Sequence, residues 1–534
     1  MSDLFLGFDF STQQIKVIAV DGDLNVKYDE HVKFDTDLPE FGTENGAHIH
    51  ADKITVTAPT VMWVKALDLL LDKMKNAGFD FSRVAAMSGD GQQHGSVYWK
   101  KGARSILQNL SADKSMYDQL KDSFAIPESP IWMDASTSSH IKTLEGAVGG
   151  PLELAKITGS RGFERYTGLQ IMKIVETNRE GYNNTERISL VSSFGASLLL
   201  GDYAPIDYSD GSGMNLLDIN KKTWSSTCLE VCGPGLAARL GDPVPANTVV
   251  GSVSQYLVSK YGFRADCKVI AFTGDNPASL AGLAPSEGDV IVSLGSSDTV
   301  FLWIPRATPS MDGVIFVNPI DQATFMGLVC FKNGSLSRAA VMERCAGGSW
   351  DTFSEMLQKT PPGNNGNIGL YFDVPEIQPV VMGTYRFDEH NKQVESFPPE
   401  VEVRAILEGQ FLARLMYAQK CGLTIGPSTR VIATGGASAN SSILQVIADI
   451  FNVEVYVTDV PNSAALGGCY RAIYALAPKG SSFSKVINPA VEHQPVCTCK
   501  HSPGLEKAYQ PMLERYRQLE EQVTTLYQAN QGNK

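Results

Sequence analysis

Asp275 stands where a carboxylate is placed to take a proton from a ligand. Residues 269–273 form an apolar, β-rich run, Gly274 breaks it, and Asp275-Asn276 follows just before Pro277, with a small-residue helix expected over 278–283. In open α/β sheets ligands sit outside the carboxyl ends of the strands, so this carboxylate points to a cleft and is the candidate general base. Asp-Asn-Pro is also ordinary turn chemistry, so the other motifs must decide.

Transfer of a phosphoryl group requires backbone amides to hold phosphate, a metal to offset its charge and a base for the acceptor hydroxyl. Asp9 ends the first apolar run and is a candidate Mg2+ ligand, direct or through water. Beside it Ser11 and Thr12 offer hydroxyls and amides, and Lys16 offers a charge. A second small, hydroxyl-rich turn at Gly295, Ser296 and Ser297 mirrors the first. Gly435, Gly436, Ala437 and Asn440 follow a strand-like run and precede a helix-like one, the setting in which backbone and a helix N-terminus accept phosphate. A tight turn capped by Ser438 or Asn440 explains the same residues. His94, in a glycine-flanked polar run, suits a sugar's hydroxyls, and Arg165 either binds a substrate oxygen or pairs with Glu164.

Other chemistries lack support. His493, Cys497, Cys499 and His501 cluster in sequence, but Cys-x-Cys is tighter than zinc spacing and no second pair exists, so metal binding is not expected there. The chain has no Walker A, Gly-x-Gly-x-x-Gly or Gly-x-Ser-x-Gly motif, which weakens the P-loop, dinucleotide and α/β-hydrolase readings.

The elements that must position these residues read as a duplication. Runs at 4–8, 15–20 and 26–34, a helical pattern at 61–77 and a strand at 84–88 give the order β-β-β-α-β. A hairpin returns at 290–304, followed by a helix at 401–418, strands at 429–433 and 453–457 and a helix at 443–451. Two α/β domains, residues 1–285 and 286–534, are therefore expected to face each other across a nucleotide cleft. Residues 361–369 are expected to form a surface loop, and 505–527 an amphipathic helix that docks on its own domain, with a dimer seam as the alternative.

At 534 residues and a net charge of -13, the chain is too long for one core and too acidic for a nucleic-acid or anionic-membrane binder. Nine cysteines without framework spacing fit a reducing, cytoplasmic setting and no disulfide. The first ten residues lack the basic lead of a secretory signal, and the longest apolar stretch, 188–200, is too short to span a bilayer.

Assembled, these motifs resemble the FGGY carbohydrate kinases, nearest to the animal-type xylulose kinases. The carriers are D-F-S-T-Q-Q-I-K-V from Asp9, G-Q-Q-H-G from Gly91, E-R-Y-T-G from Glu164, F-T-G-D-N-P-A-S-L-A-G from Phe272, L-G-S-S-D-T from Leu294 and A-T-G-G-A-S from Ala433. The resemblance implies two actin-like, ribonuclease-H-like domains closing over ATP, Mg2+ and a ketose, most closely D-xylulose, with phosphate moved to the sugar's terminal hydroxyl by a monomer or homodimer. It implies sugar contacts from His94, Arg165, Asp275 and Asn276, and nucleotide contacts from Trp350, Gly436, Ala437 and Asn440. Trp350 enters only through the resemblance. The chain departs from the family pattern at Phe10-Ser11, at Asp90 and at residues 173–176. Another ketose or polyol kinase of the same scaffold, or a protein that binds nucleotide and sugar without transfer, remains the alternative.

Overall fold

The computed structural model describes residues 2–487 and 495–532. Two seven-stranded sheets organise it. The first contains β1 (Leu4–Phe10), β2 (Gln14–Asp21), β3 (Val26–Lys33), β4 (Val84–Gly91), β5 (Val249–Ser252), β6 (Lys268–Ile270) and β7 (Thr273–Gly274). The second contains β8 (Val290–Leu294), β9 (Asp298–Ile304), β10 (Val314–Val317), β11 (Phe325–Phe331), β12 (Arg430–Thr434), β13 (Glu454–Val457) and β14 (Val496–Cys499).

The two sheets repeat one plan. The first runs β5-β6-β4-β1-β2-β3 and the second β14-β13-β12-β8-β9-β11, with β10 added at its edge and β7 on β4. In both, an antiparallel hairpin is flanked by two parallel strands and then an antiparallel edge. Because β1 and β4 run parallel, their carboxyl ends lie side by side and pair Asp9 with Asp90. β7 extends that edge by pairing Thr273 with Asp90, which brings Asp275 to the same rim.

The long apolar patterns become helices as their spacing dictates. α1 (Thr60–Asn76) buries Met62, Val64, Leu67, Leu70, Leu71 and Met74 completely against the first sheet. Each such side chain contributes about 1.5–3 kcal/mol. The 188–200 stretch divides into a strand at Thr185–Leu190 and a buried helix at Val191–Leu200. α2 (Asp275–Leu283) starts three residues earlier than expected. Pro277 is compatible with that start because first-turn N–H groups have no intrahelical partner to lose.

In the second half, α3 (Pro399–Lys420) is buried along most of its length, and α4 (Ser441–Phe451) follows the Gly435 turn. Residues 361–369 are not simply a surface loop: Asn364 is fully buried and its side-chain amide donates to Val401 O, satisfying the backbone as the chain turns into the strand Ile368–Phe372.

α5 (Ser463–Leu476) lies in the second half of the sequence yet packs on α2 and on β1 and β4 of the first sheet. The approach is so close that a Cβ on Gly467 would fall 1.9 Å from Ala278 O, and one on Gly282 1.9 Å from Ser463 O. α6 (Glu506–Gly532) docks on α3 through Tyr509, Met512, Tyr516, Leu519 and Val523, while Leu526 stays exposed. Among the described residues no helix is long and apolar enough to cross a membrane.

Candidate active site

Asp275 occupies the first turn of α2, where the helix N-terminus favours negative charge. Asn276 holds it by two bonds to Oδ1, from its backbone N–H at 2.8 Å and its side-chain amide at 3.1 Å. The same amide reaches Gln93 Oε1 at 2.9 Å, tying the carboxylate to the loop that carries His94. Burial pushes the Asp275 carboxyl up to about 7, and the charge of Asp9 adds to the rise against the N–H of Asn276.

His94 sits at φ +69°, in the left-handed region, just past the carboxyl end of β4. Its Nδ1 lies 2.8 Å from Gly213 O. A carbonyl only accepts, so Nδ1 carries the proton and Nε2 is the acceptor. The ring stacks on Tyr166 at 4.5 Å, and burial, then the charge of Arg165, holds the imidazole neutral with its pKa at about 3. His94, Arg165 and Asn276 from the first half meet Phe316, Leu328 and Cys330 from the second around a cavity of about 110 Å3.

A larger cavity, about 830 Å3, opens in the second half between the Gly295-Ser296 turn, Trp350 and the Gly436-Ala437-Asn440 segment at the start of α4. Gly435 adopts φ +87°, and a Cβ there would fall 2.9 Å from Leu294 O, so the two turns pack backbone to backbone. The Asn440 side chain accepts from Ser442 N and Ile443 N as the cap of α4, leaving its amide 3.3 Å from Ser354 Oγ. Ser297 belongs to the same turn. Beside it Asp298 is fully buried and paired with Arg338 and Arg414, each at 2.8 Å. Burial opposes that charge, but the guanidinium groups of Arg414 and Arg338 outweigh it and keep the carboxyl ionised below its usual range.

Ser11 and Thr12 line a third cavity of about 480 Å3. Ser11 donates to Asp9 Oδ1, and Thr12 Oγ1 accepts from the Trp132 indole at 2.8 Å. Lys16 donates to the Asn462 side chain just before α5, so its charge links the halves as well as facing Asp9. Asp9 fits a cation ligand on the structure's own terms. The neighbouring Asp90 is fully buried and faces Asp9 carboxyl to carboxyl, and burial, then the charges of Asp9 and Asp275, raise its pKa, so a cation beside the pair would balance charge that otherwise calls for a proton. Among the described residues no set of three or more His, Cys, Asp or Glu could hold a metal ion. His493 of the carboxyl-terminal cluster lies outside the described residues, while Cys497 is exposed and Cys499 buried.

Three groups around the site escaped the sequence reading. Asp207 and Asp210 are buried beneath the rim, where Thr273 donates to Asp207 at 2.9 Å and Ser192 to Asp210. The fully buried Arg471 of α5 donates to Ala271 O at 2.8 Å, to Ala246 O at 3.1 Å and to Gly89 O. It thus places one cation beneath several acids. Its sequence signal was a lone charge in an otherwise small and apolar helix.

Models of the FGGY family of carbohydrate kinases match almost end to end, the N-terminal domain over residues 4–282 and the C-terminal domain over 290–476. The chain belongs to the FGGY family of carbohydrate kinases. This FGGY chain is 54% identical to the xylulose kinase of Rattus norvegicus over 97% of its own length and 96% of that protein. It is 47% identical to xylulose kinase 2 of Arabidopsis thaliana, covering 91% and 89%. In fold it is similar to a ligand-bound xylulose kinase from Lactobacillus acidophilus, TM-score 0.79 at 17% identity over 99% of each chain. It is also similar to the ADP complex of Plasmodium falciparum glycerol kinase, TM-score 0.73 at 15% identity over 96% and 98%.

Proposed function

We propose that this protein phosphorylates D-xylulose at its terminal hydroxyl with ATP, Asp275 acting as general base. One observation carries the reading: a small cavity that His94, Arg165 and Asn276 line with polar groups adjoins a carboxylate held near neutral pKa at a strand-to-helix turn. The likeness to the rat xylulose kinase supports the choice of sugar.

In this mechanism His94 Nε2 accepts from a sugar hydroxyl and Arg165 donates to a sugar oxygen. Asn276 fixes the Asp275 carboxylate so that it receives the proton of the attacking hydroxyl. A base with a pKa near the working pH both holds enough ionised form and pulls on the proton effectively. The Gly295-Ser296 and Gly436-Ala437 backbones hold the triphosphate, and Trp350 contacts the nucleotide. Asp9 would hold Mg2+, which offsets the charge of the transferring phosphoryl group.

The test is ADP release with a panel of ketoses and polyols, followed by identification of the phosphorylated product. Turnover greatest on D-xylulose, with product carrying phosphate on carbon 5, is the expected result. Preference for glycerol or another polyol moves the assignment within the family, and tight ATP binding with no ADP from any sugar overturns it.

A further inference from the structure

The sugar contacts named so far come from the first half, yet the cavity they line is closed by the second. Val314, Phe316, Leu328 and Cys330 complete its wall from β10 and β11. Phe316 is 1% exposed, and its ring stands beside His94: a Cβ on Gly213 would lie 3.5 Å from Phe316 Cε1 and 3.1 Å from His94 Nδ1.

This wall is fastened to the sugar-binding half. Ser209 Oγ donates to Val317 O at 2.7 Å, Val317 N donates to Ser212 Oγ at 3.1 Å, and Ile315 N donates to Gly159 O at 2.8 Å. These bonds flank Phe316 on both sides, so the strand that carries its ring cannot retreat without breaking contacts between the halves. The first half lines the cavity with Gln93, His94, Arg165 and Asn276 beside the rings of Phe163 and Tyr166, and the second adds Gln378 to an otherwise apolar face of Val314, Phe316 and Leu328. A sugar therefore meets most of its donors and acceptors from the first half and a mainly apolar boundary from the second. At about 110 Å3 the space is far below the roughly 300–1,000 Å3 of ordinary ligand pockets.

On the ketose-kinase reading above, we infer that Phe316, backed by Val314 and Leu328, is the ruler that sets ketose length, admitting five carbons and rejecting six. Rejection arises from steric contact with an immobile ring, so it acts on whichever carbon lies beyond the reach of His94 and Arg165. One carbon against a rigid apolar wall discriminates by about 10- to 200-fold. Selection then operates only while the nucleotide-binding half is seated on the sugar-binding half, because neither half encloses the cavity.

The experiment compares wild type, Phe316→Ala and the gentler Phe316→Leu on D-xylulose and D-fructose, both by kcat/KM and by sugar binding without ATP, read from intrinsic fluorescence. The expected result is a hexulose-to-pentulose ratio raised at least about tenfold in Phe316→Ala and less in Phe316→Leu, in both measurements. Circular dichroism and the KM for ATP verify that each variant is folded. Should Phe316→Ala fail to fold, Leu328→Ala and Phe316→Leu carry the comparison. A ratio unchanged within twofold in folded variants overturns the ruler. Absence of D-xylulose turnover in wild type instead counts against the proposed function, and the binding ratios still judge the wall.

Discussion

Asn276 clasps Asp275 through two donors on a single carboxyl oxygen, and its amide simultaneously reaches Gln93, the residue before His94. The proposed base and the loop that carries His94 are thus one hydrogen-bonded unit. Asp275→Asn keeps the shape and removes the base, so kcat is expected to fall by about 10²–10⁴-fold. Calorimetric titration with ATP should give an affinity within a few-fold of wild type. Wild-type-like kcat would remove Asp275 from the role of base.

The pH profile should report the same group. Asp275 must be ionised to accept a proton, and burial followed by the charge of Asp9 raises its pKa to about 7. Thus kcat/KM is expected to rise with pH through about 7 and then level off, a tenfold loss accompanying each pH unit below the limb. A rate independent of pH between 5 and 8 would contradict the assignment.

Stability should show the opposite preference. The folded pKa of Asp275 is raised, to about 7 from 3.8, so between those values the folded state holds a proton that the unfolded chain releases. The protonated form's favourable contribution is present below the unfolded value and is lost as pH rises through about 7. Above that, the wild type carries a buried charge that Asp275→Asn lacks. Without ligands at pH 8 the variant is expected to unfold about 1–3 kcal/mol harder, measured by chemical denaturation, with the gain absent at pH 4.

The proposed phosphate turn of the second half depends on Gly435. Its φ of +87° and the 2.9 Å approach to Leu294 O leave no room for a side chain. Gly435→Ala is expected to raise the KM for ATP more than about tenfold through distortion of the turn, at a strain cost of about 1–3 kcal/mol. The KM for sugar, read in the same assay at saturating ATP, should move less than threefold.

Asp298 in the neighbouring hairpin is instead a structural acid. Arg338 and Arg414 enclose it with no exposed surface, so Asp298→Ala leaves two buried guanidinium groups unpaired. A loss of about 3–5 kcal/mol is expected in urea unfolding. Retention of full stability would show that the pairs are dispensable.

Much of this was legible in local pattern. Apolar runs joined by polar turns gave the hairpins, 3.6-residue spacing gave α1 with all six anticipated apolar positions buried, and the repeated hairpin foretold two sheets of one plan. The motifs at strand ends held His94 and Asn276, which meet Arg165 at one cavity, and Gly295 and Asn440, which meet at another, because glycine breaks at strand ends are local signals; Trp350 of the second cavity came from the family resemblance alone. Other features required the folded chain. Asp207, Asp210 and Arg471 carry no periodicity that marks them as partners of the rim, and Arg471 meets Gly89 across 382 positions of sequence. The start of α2 at Asp275 was missed because a first-turn proline neither announces nor forbids a helix. The wall at Phe316 reads in sequence as an ordinary buried strand residue. Backbone patterns encode which face of an element is apolar, but they do not encode which distant face will meet it. Local spacing therefore determined the elements and their turns, whereas the closure of one half on the other determined which side chains share a cavity and how their charges are balanced.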